Sequence, residues 1–278
     1  MRVDEHTIEL AGSPVFYRSA RATDDTTPAQ ETLPLYLHGI PTSSDDWTEA
    51  LERTGGVAAD LPGFGRTGKG GQLDLSIGGH ATFVEALLEA LGIERVQLVL
   101  HDWGAAGGLV FAQRHPDRVE RIILVNALPL SGEFRWPGLA RAWRRPVLGE
   151  LAMGSVNRWL LARYLRRGSA RDESWPDARV NAVWEQFDQG TQRAILRLHR
   201  DADEQTLAEV TQGLNRLTMP ALVLWGALDP WLPPTLGEAY AHALGDASFE
   251  AVPDAGHWPW LDRPELLERI AGFLAGQR

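Results

Sequence analysis

The sequence predicts an α/β fold, a mostly parallel sheet flanked by helices with a helical lid (cap) inserted after the sixth strand. Three observations carry this. Short apolar runs closed by turn residues recur towards both ends of the chain, as the buried strands of a parallel sheet require. Helical stripes alternate with those runs. A central block lacks such runs and reads as helical throughout.

Residues 7–20 read as two short strands joined at Gly12-Ser13-Pro14. Leu33–Leu37 (LPLYL), Gly56–Asp60 and Val96–Leu100 (VQLVL) are short buried strands. Before the third, Ser76–Leu91 carries apolar residues at Ile77, Phe83, Val84, Leu87, Leu88 and Leu91, with Ser76 as N-cap and Gly92 just past the end. Helix Trp103–His115 follows, stopped by Pro116, and then the strand RIILV at 121–125. The rhythm breaks near Pro129. Helices are expected at Arg135–Met153, Val156–Arg167, Asp177–Phe187, Thr191–Arg200 and Asp203–Leu214. Strands resume at Ala221–Trp225 (ALVLW), followed by helix Leu236–Leu244, strand Ser248–Val252 and helix Pro264–Leu274. A helical block between two parts of one sheet reads as a lid, so the core is 1–128 and 214–278 and the cap 129–213.

Composition narrows the chemistry. A chain of 278 residues can bury a core without staples. With no Cys there is no disulfide framework, thiolate metal site or cysteine nucleophile. A net charge of −10 argues against a nucleic-acid partner, which needs a basic surface. The charged start MRVDEHTIEL shows no secretory signal, and no apolar run approaches the roughly 20 residues that span a bilayer, so a cytoplasmic protein without membrane contact is expected. Eleven Trp is a high count, and five lie in the cap (Trp136, Trp143, Trp159, Trp175, Trp184). They are expected to surround an apolar cavity.

Ligands of open α/β sheets sit at the carboxyl ends of strands. Three such ends carry reactive side chains. His101-Asp102-Trp103-Gly104 follows VQLVL, Gly226-Ala227-Leu228-Asp229-Pro230 follows ALVLW, and Asp254-Ala255-Gly256-His257-Trp258 follows the last strand. The order Asp102, Asp229, His257 is the nucleophile, acid, base order of the α/β-hydrolase fold, with Asp where Ser is usual. No G-x-S-x-G occurs in the chain. His38-Gly39-Ile40-Pro41 follows LPLYL, where that fold places an oxyanion-hole N–H. H-G-I-P, D-L-P-G-F-G-R-T (60–67), H-D-W-G-A, G-A-L-D-P and G-H-W-P together resemble the α/β hydrolases with aspartate nucleophiles, the epoxide hydrolases and haloalkane dehalogenases.

The resemblance implies displacement at a saturated carbon. A serine ether could not be released by water, whereas an aspartyl ester can be hydrolysed at its carbonyl. Asp102 would form the ester, and His257, oriented by Asp229, would activate water. The backbone N–H groups of Ile40 and Trp103 would hold the oxyanion. The expected partners are a small apolar substrate and water, with no cofactor and no metal; the oligomeric state stays open.

The two families differ at the leaving group. Epoxide hydrolases use acidic lid donors, here Tyr164 and, in place of a second Tyr, His199. Haloalkane dehalogenases use N–H donors. Trp103 fits, but Ile40 stands where many carry a halide-binding Asn. Epoxide hydrolysis is the reading preferred from sequence, with dehalogenation next and a non-catalytic binding protein as the alternative of another class. Structural roles are expected for His38, His101 and Asp60, and Gly63, Gly65 and Gly68 make no dinucleotide fingerprint.

Overall fold

Eight strands form one sheet in the order β1-β2-β4-β3-β5-β6-β7-β8 in the computed structural model, which describes residues 1–21, 32–128 and 136–277. The strands are β1 (Val3–Leu10), β2 (Ser13–Ala20), β3 (Thr32–Leu37), β4 (Gly56–Ala59), β5 (Arg95–Asp102), β6 (Val119–Ala127), β7 (Ala221–Gly226) and β8 (Ala247–Val252). β1 and β2 pair antiparallel, as do β2 and β4; all other pairs are parallel. The helices are α1 (Thr48–Thr54), α2 (Ile77–Ala90), α3 (Trp103–Arg114), α4 (Gly138–Trp143), α5 (Leu148–Gly154), α6 (Arg158–Arg167), α7 (Asp177–Gln186), α8 (Gln189–Asp201), α9 (Glu204–Gln212), α10 (Pro234–Ala243), α11 (Pro259–Asp262) and α12 (Leu266–Leu274).

The central strands explain the apolar runs. β4 and β7 are buried at every position, and β5 at all but its first. A strand covered on both faces has no solvent side on which to place polar residues. The edge strand β1 instead keeps half-buried positions among exposed ones. Helix pairs α2–α3 and α1–α12 pack together around the sheet. Ser76 caps α2 by accepting from the Gly79 N–H at 3.0 Å, and Gly92 follows its end at φ +64°.

Between β6 and β7 the described residues form helices and turns, α4 to α9, with no strand. The expected helix Arg135–Met153 is two helices. Pro146 lacks the N–H that a continuous helix needs, and Val147 at φ +67° turns the chain between α4 and α5. Residues 129–135, where the break in rhythm was expected, lie outside the described residues. The first strand starts at Val3, before the expected residue 7, and α1 and α11 had no sequence signal. Among the described residues no helix is long and apolar enough to cross a membrane.

Candidate active site

β5 ends at Asp102 and α3 begins at the next residue. The turn between them is tight. Asp102 has φ +46° and ψ −121°, a backbone that L residues seldom adopt and that persists only where surrounding contacts enforce it. Its neighbours enforce it by closeness. A Cβ on Gly39 would lie 2.5 Å from the Asp102 Cβ, and one on Gly104 would lie 2.6 Å from the Leu37 and His38 carbonyl oxygens. Glycine follows His38 and Trp103 because the turns after β3 and β5 touch.

That contact also aims a donor at the carboxylate. The Ile40 N–H donates to Asp102 Oδ2 at 3.1 Å, and the Trp103 backbone N–H is a second donor to the same side chain. Across the cleft, His257 Nε2 stands 3.9 Å from Asp102 Oδ2. Its Nδ1 lies 2.7 Å from Asp229 Oδ2, which fixes the proton on Nδ1 and leaves Nε2 facing Asp102. Asp229 is fully committed. Oδ2 also accepts from Asn126 Nδ2 at 2.7 Å, while Oδ1 accepts from the Trp231 and Leu232 N–H groups at 2.8 and 3.0 Å.

Burial raises the Asp102 pKa to about 6, partly opposed by the His257 charge and the two backbone donors. For His257 burial acts downward, but the Asp229 carboxylate, its hydrogen bond and the Asp102 charge outweigh it and leave the pKa raised. Each charge therefore favours the other, although at Asp102 burial outweighs the pairing. His38 and His101 take structural roles: His38 Nε2 accepts from the Leu61 N–H at 2.9 Å, and His101 Nε2 donates to the His257 carbonyl at 2.8 Å. Asp60 shapes its loop, accepting from the Ser44 and Arg66 N–H groups at 2.8 and 2.7 Å.

A cavity of about 60 Å³ opens over these groups, and Asp102, Trp103, Ile40, Tyr164, His199 and His257 all line it. The structure thus brings every residue singled out around the nucleophile to one place except Asp229, which stands behind His257. Tyr164 stacks on Trp231 with ring centroids 4.4 Å apart, and Trp231 meets His257 edge-on at 5.0 Å. Burial and then the Asp102 and Asp229 charges push the Tyr164 phenol up, so it stays protonated, and its hydroxyl has no partner among the described residues.

His199 departs from its expected role as an acid. Its Nδ1 lies 2.8 Å from the Ile195 carbonyl, which can only accept, so Nδ1 must carry the proton. Burial lowers its pKa to about 4, and the neutral ring then offers Nε2 as an acceptor, not a donor. Its position is set by Trp103, Trp136 and Trp143, whose rings lie 4.9 to 5.5 Å away.

The tryptophans are more dispersed than the sequence led us to expect. Trp103, Trp136, Trp143 and Trp231 line the cavity. Trp175 packs edge-on against Trp258, Trp184 stacks on Phe187, and Trp159 is 67% exposed. The indole N–H of Trp143 is buried with no acceptor among the described residues.

Sequence reasoning missed the supporting groups. Asn126, at φ +38° near the end of β6, links Asp229 to the Gly226 N–H. Its signal was a polar residue closing the run RIILV. Asp262, 1% exposed, accepts from the N–H groups of Ala170 and Gly256 and from the Ser174 hydroxyl. Nothing in its local sequence separates it from a surface turn. Leu128, Leu139 and Trp231 complete the wall from segments far apart in the chain.

Comparison with known proteins identifies this architecture. A family model described as alpha/beta hydrolase fold matches residues 35–264. The chain belongs to the α/β-hydrolase fold family. A haloalkane dehalogenase of Mycolicibacterium paratuberculosis is 32% identical, covering 86% of this chain and 82% of that relative. Epoxide hydrolase 1 of Caenorhabditis elegans is 24% identical over 87% of this chain and 64% of its own length. The crystal structure of haloalkane dehalogenase DbeA from Bradyrhizobium elkani USDA94 superposes with a TM-score of 0.85 at 25% identity, covering 99% of this chain and 98% of that one. The chain is thus a hydrolase of this group.

Proposed function

We propose that the chain hydrolyses apolar epoxides through an alkyl ester on Asp102, under a cap formed by the helices between β6 and β7. The observation that carries the leaving-group assignment is Tyr164. Its protonated phenol, which no other described residue engages in a hydrogen bond, lines the same cavity as Asp102 and is close enough to feel that carboxylate's charge. A carboxylate oxygen of Asp102 attacks a ring carbon, the carbon–oxygen bond breaks, and the ring oxygen takes the Tyr164 proton. Water then attacks the ester carbonyl while His257 Nε2 accepts its proton, and the Ile40 and Trp103 N–H groups hold the tetrahedral oxyanion. Collapse breaks the bond between the acyl carbon and the alkyl oxygen, the departing alkoxide takes the proton left on the added hydroxyl, and the diol leaves Asp102 as a carboxylate. The proton on His257 returns through solvent to Tyr164.

A second reading, dehalogenation by the same two steps, is favoured by one observation. The buried N–H of Trp143, a residue that lines the cavity with Trp103, lacks an acceptor among the described residues, and a halide needs such donors. The 32% identical relative named haloalkane dehalogenase supports it too. Turnover separates the readings. Diol release from epoxides without halide release from chloro- and bromoalkanes is expected, abolished in Asp102→Asn. Halide release alone would replace the first reading with the second, and turnover that survives Asp102→Asn would remove both.

A further inference from the structure

Beyond the reaction cavity lies a larger one. It measures about 230 Å³ and is enclosed by the cap helices α5, α6 and α8, with Met153, Val156, Leu161, Phe187 and Ile195 in its wall. Protein interiors pack as densely as organic crystals, so a void of this size is not a residue of ordinary packing. The two cavities adjoin, because Ile40, Leu139, Trp143 and Tyr164 line both.

The wall chemistry specifies an occupant. Apart from the Tyr164 hydroxyl and Trp143 indole at the junction, the polar side chain in the wall is Ser155, whose hydroxyl already donates to the Ala152 carbonyl at 2.7 Å. A polar or charged group placed here would lose its water without finding a partner, whereas hydrocarbon gains by leaving water. The outer end reaches the surface. Leu160 lines the cavity and is also exposed, and Trp159 beside it in the chain is among the most exposed large apolar side chains of the described residues. An exposed apolar edge of this kind suits the entry of an apolar molecule.

We infer that this second cavity holds the hydrocarbon tail of the substrate, so the preferred substrate is a long unbranched alkyl or arylalkyl compound with its reactive carbon at one end. Tyr164, which lines both cavities, then stands between the two compartments. This rests on the reading of Asp102 as nucleophile.

The test is kcat/KM of the full chain on terminal epoxides and 1-bromoalkanes from butyl to dodecyl. A rise of about threefold to fourfold per methylene is expected until the cavity is full, the figure for complete burial of each CH₂. Ala152→Trp and Val156→Trp fill the cavity from its wall and are expected to lower the decyl-to-butyl ratio tenfold or more. A flat length profile in the unaltered chain overturns the tail assignment while leaving the nucleophile in place, and so does an unchanged ratio in both variants. If neither class turns over at any length, both the tail assignment and the Asp102 reading fall.

Discussion

The backbone N–H of His257 donates to the carbonyl oxygen of Gly168 at 2.6 Å, so the proposed base hangs from the residue that ends α6. The loop carrying His257 is therefore held by the helical segment as well as by β8. Asp262 doubles the connection, bridging the Gly256 N–H to the Ala170 N–H and Ser174 hydroxyl at 2.5 to 2.8 Å. Asp262→Ala would leave the buried Gly256 N–H and the half-buried Ala170 N–H without this partner, and a buried loss of this kind costs about 1–3 kcal/mol. We expect urea unfolding to show a stability loss of about 2–4 kcal/mol, with kcat reduced in the fraction that remains folded. Unchanged stability and kcat would mean that the segment does not position the base.

Asp102 is held at a cost to the fold. Its folded pKa of about 6 lies above the ordinary 3.8, so burial penalises the ionised form. With the folded value the higher, the native state binds the extra proton, and stability falls as pH rises between the two values. Asp102→Asn removes the charge and keeps an oxygen for the Ile40 N–H. It is expected to be inactive yet more stable than the unaltered chain at pH 8, by about 1–3 kcal/mol. A less stable variant at that pH would contradict this account of the site.

The same pKa sets the acid limb of the reaction. Attack needs the carboxylate, so kcat/KM is expected to fall tenfold per pH unit below about 6. Ester hydrolysis needs neutral His257, whose pKa is raised partly by the Asp102 charge. Forming the ester removes that charge, which lowers the His257 pKa and frees Nε2 as a base. Stopped-flow separation of the two steps is expected to show ester hydrolysis titrating at lower pH than His257 in the free protein. Identical titration would contradict the coupling.

Tyr164→Phe separates the two leaving groups. Loss of a positioned proton donor costs roughly 10²-fold or more where the departing atom is an alkoxide. Diol formation is expected to fall by that amount, and any halide release to hold. Trp143→Phe is expected to do the reverse. If Tyr164→Phe leaves diol formation intact, the phenol is a packing residue.

How much could be read beforehand followed physical rules. β3, β5, β6 and β7 were visible because burial on both faces leaves no room for polar residues, and their ends marked Asp102 and Asp229. His257 was visible because a histidine after glycine at the last strand end completed the order. Tyr164 and His199, offered as leaving-group donors, line the cavity, but which lid side chains face it is not written in the sequence. What the sequence could not show was the hydrogen bond that makes His199 an acceptor, because a helix i to i−4 contact depends on the rotamer. Asn126 and Asp262 escaped for a related reason: the links from Asn126 to Asp229 and from Asp262 to Ala170 span about 90 to 100 residues of chain. The α4–α5 break was announced by Pro146, yet the helical stripe on either side outweighed it.

The central claim is an ester on Asp102, and one measurement addresses it directly. His257→Gln keeps the site's shape but removes the base that clears the ester, so the intermediate should accumulate. The intact variant is weighed after incubation with terminal epoxides and with bromoalkanes, and its peptides are then mapped. The account predicts a mass gain equal to the whole epoxide, located on the peptide containing Asp102. A gain equal to a bromoalkane less hydrogen bromide at the same residue would retain the nucleophile and change the substrate. No adduct from either class in a folded variant, or an adduct elsewhere, would contradict it.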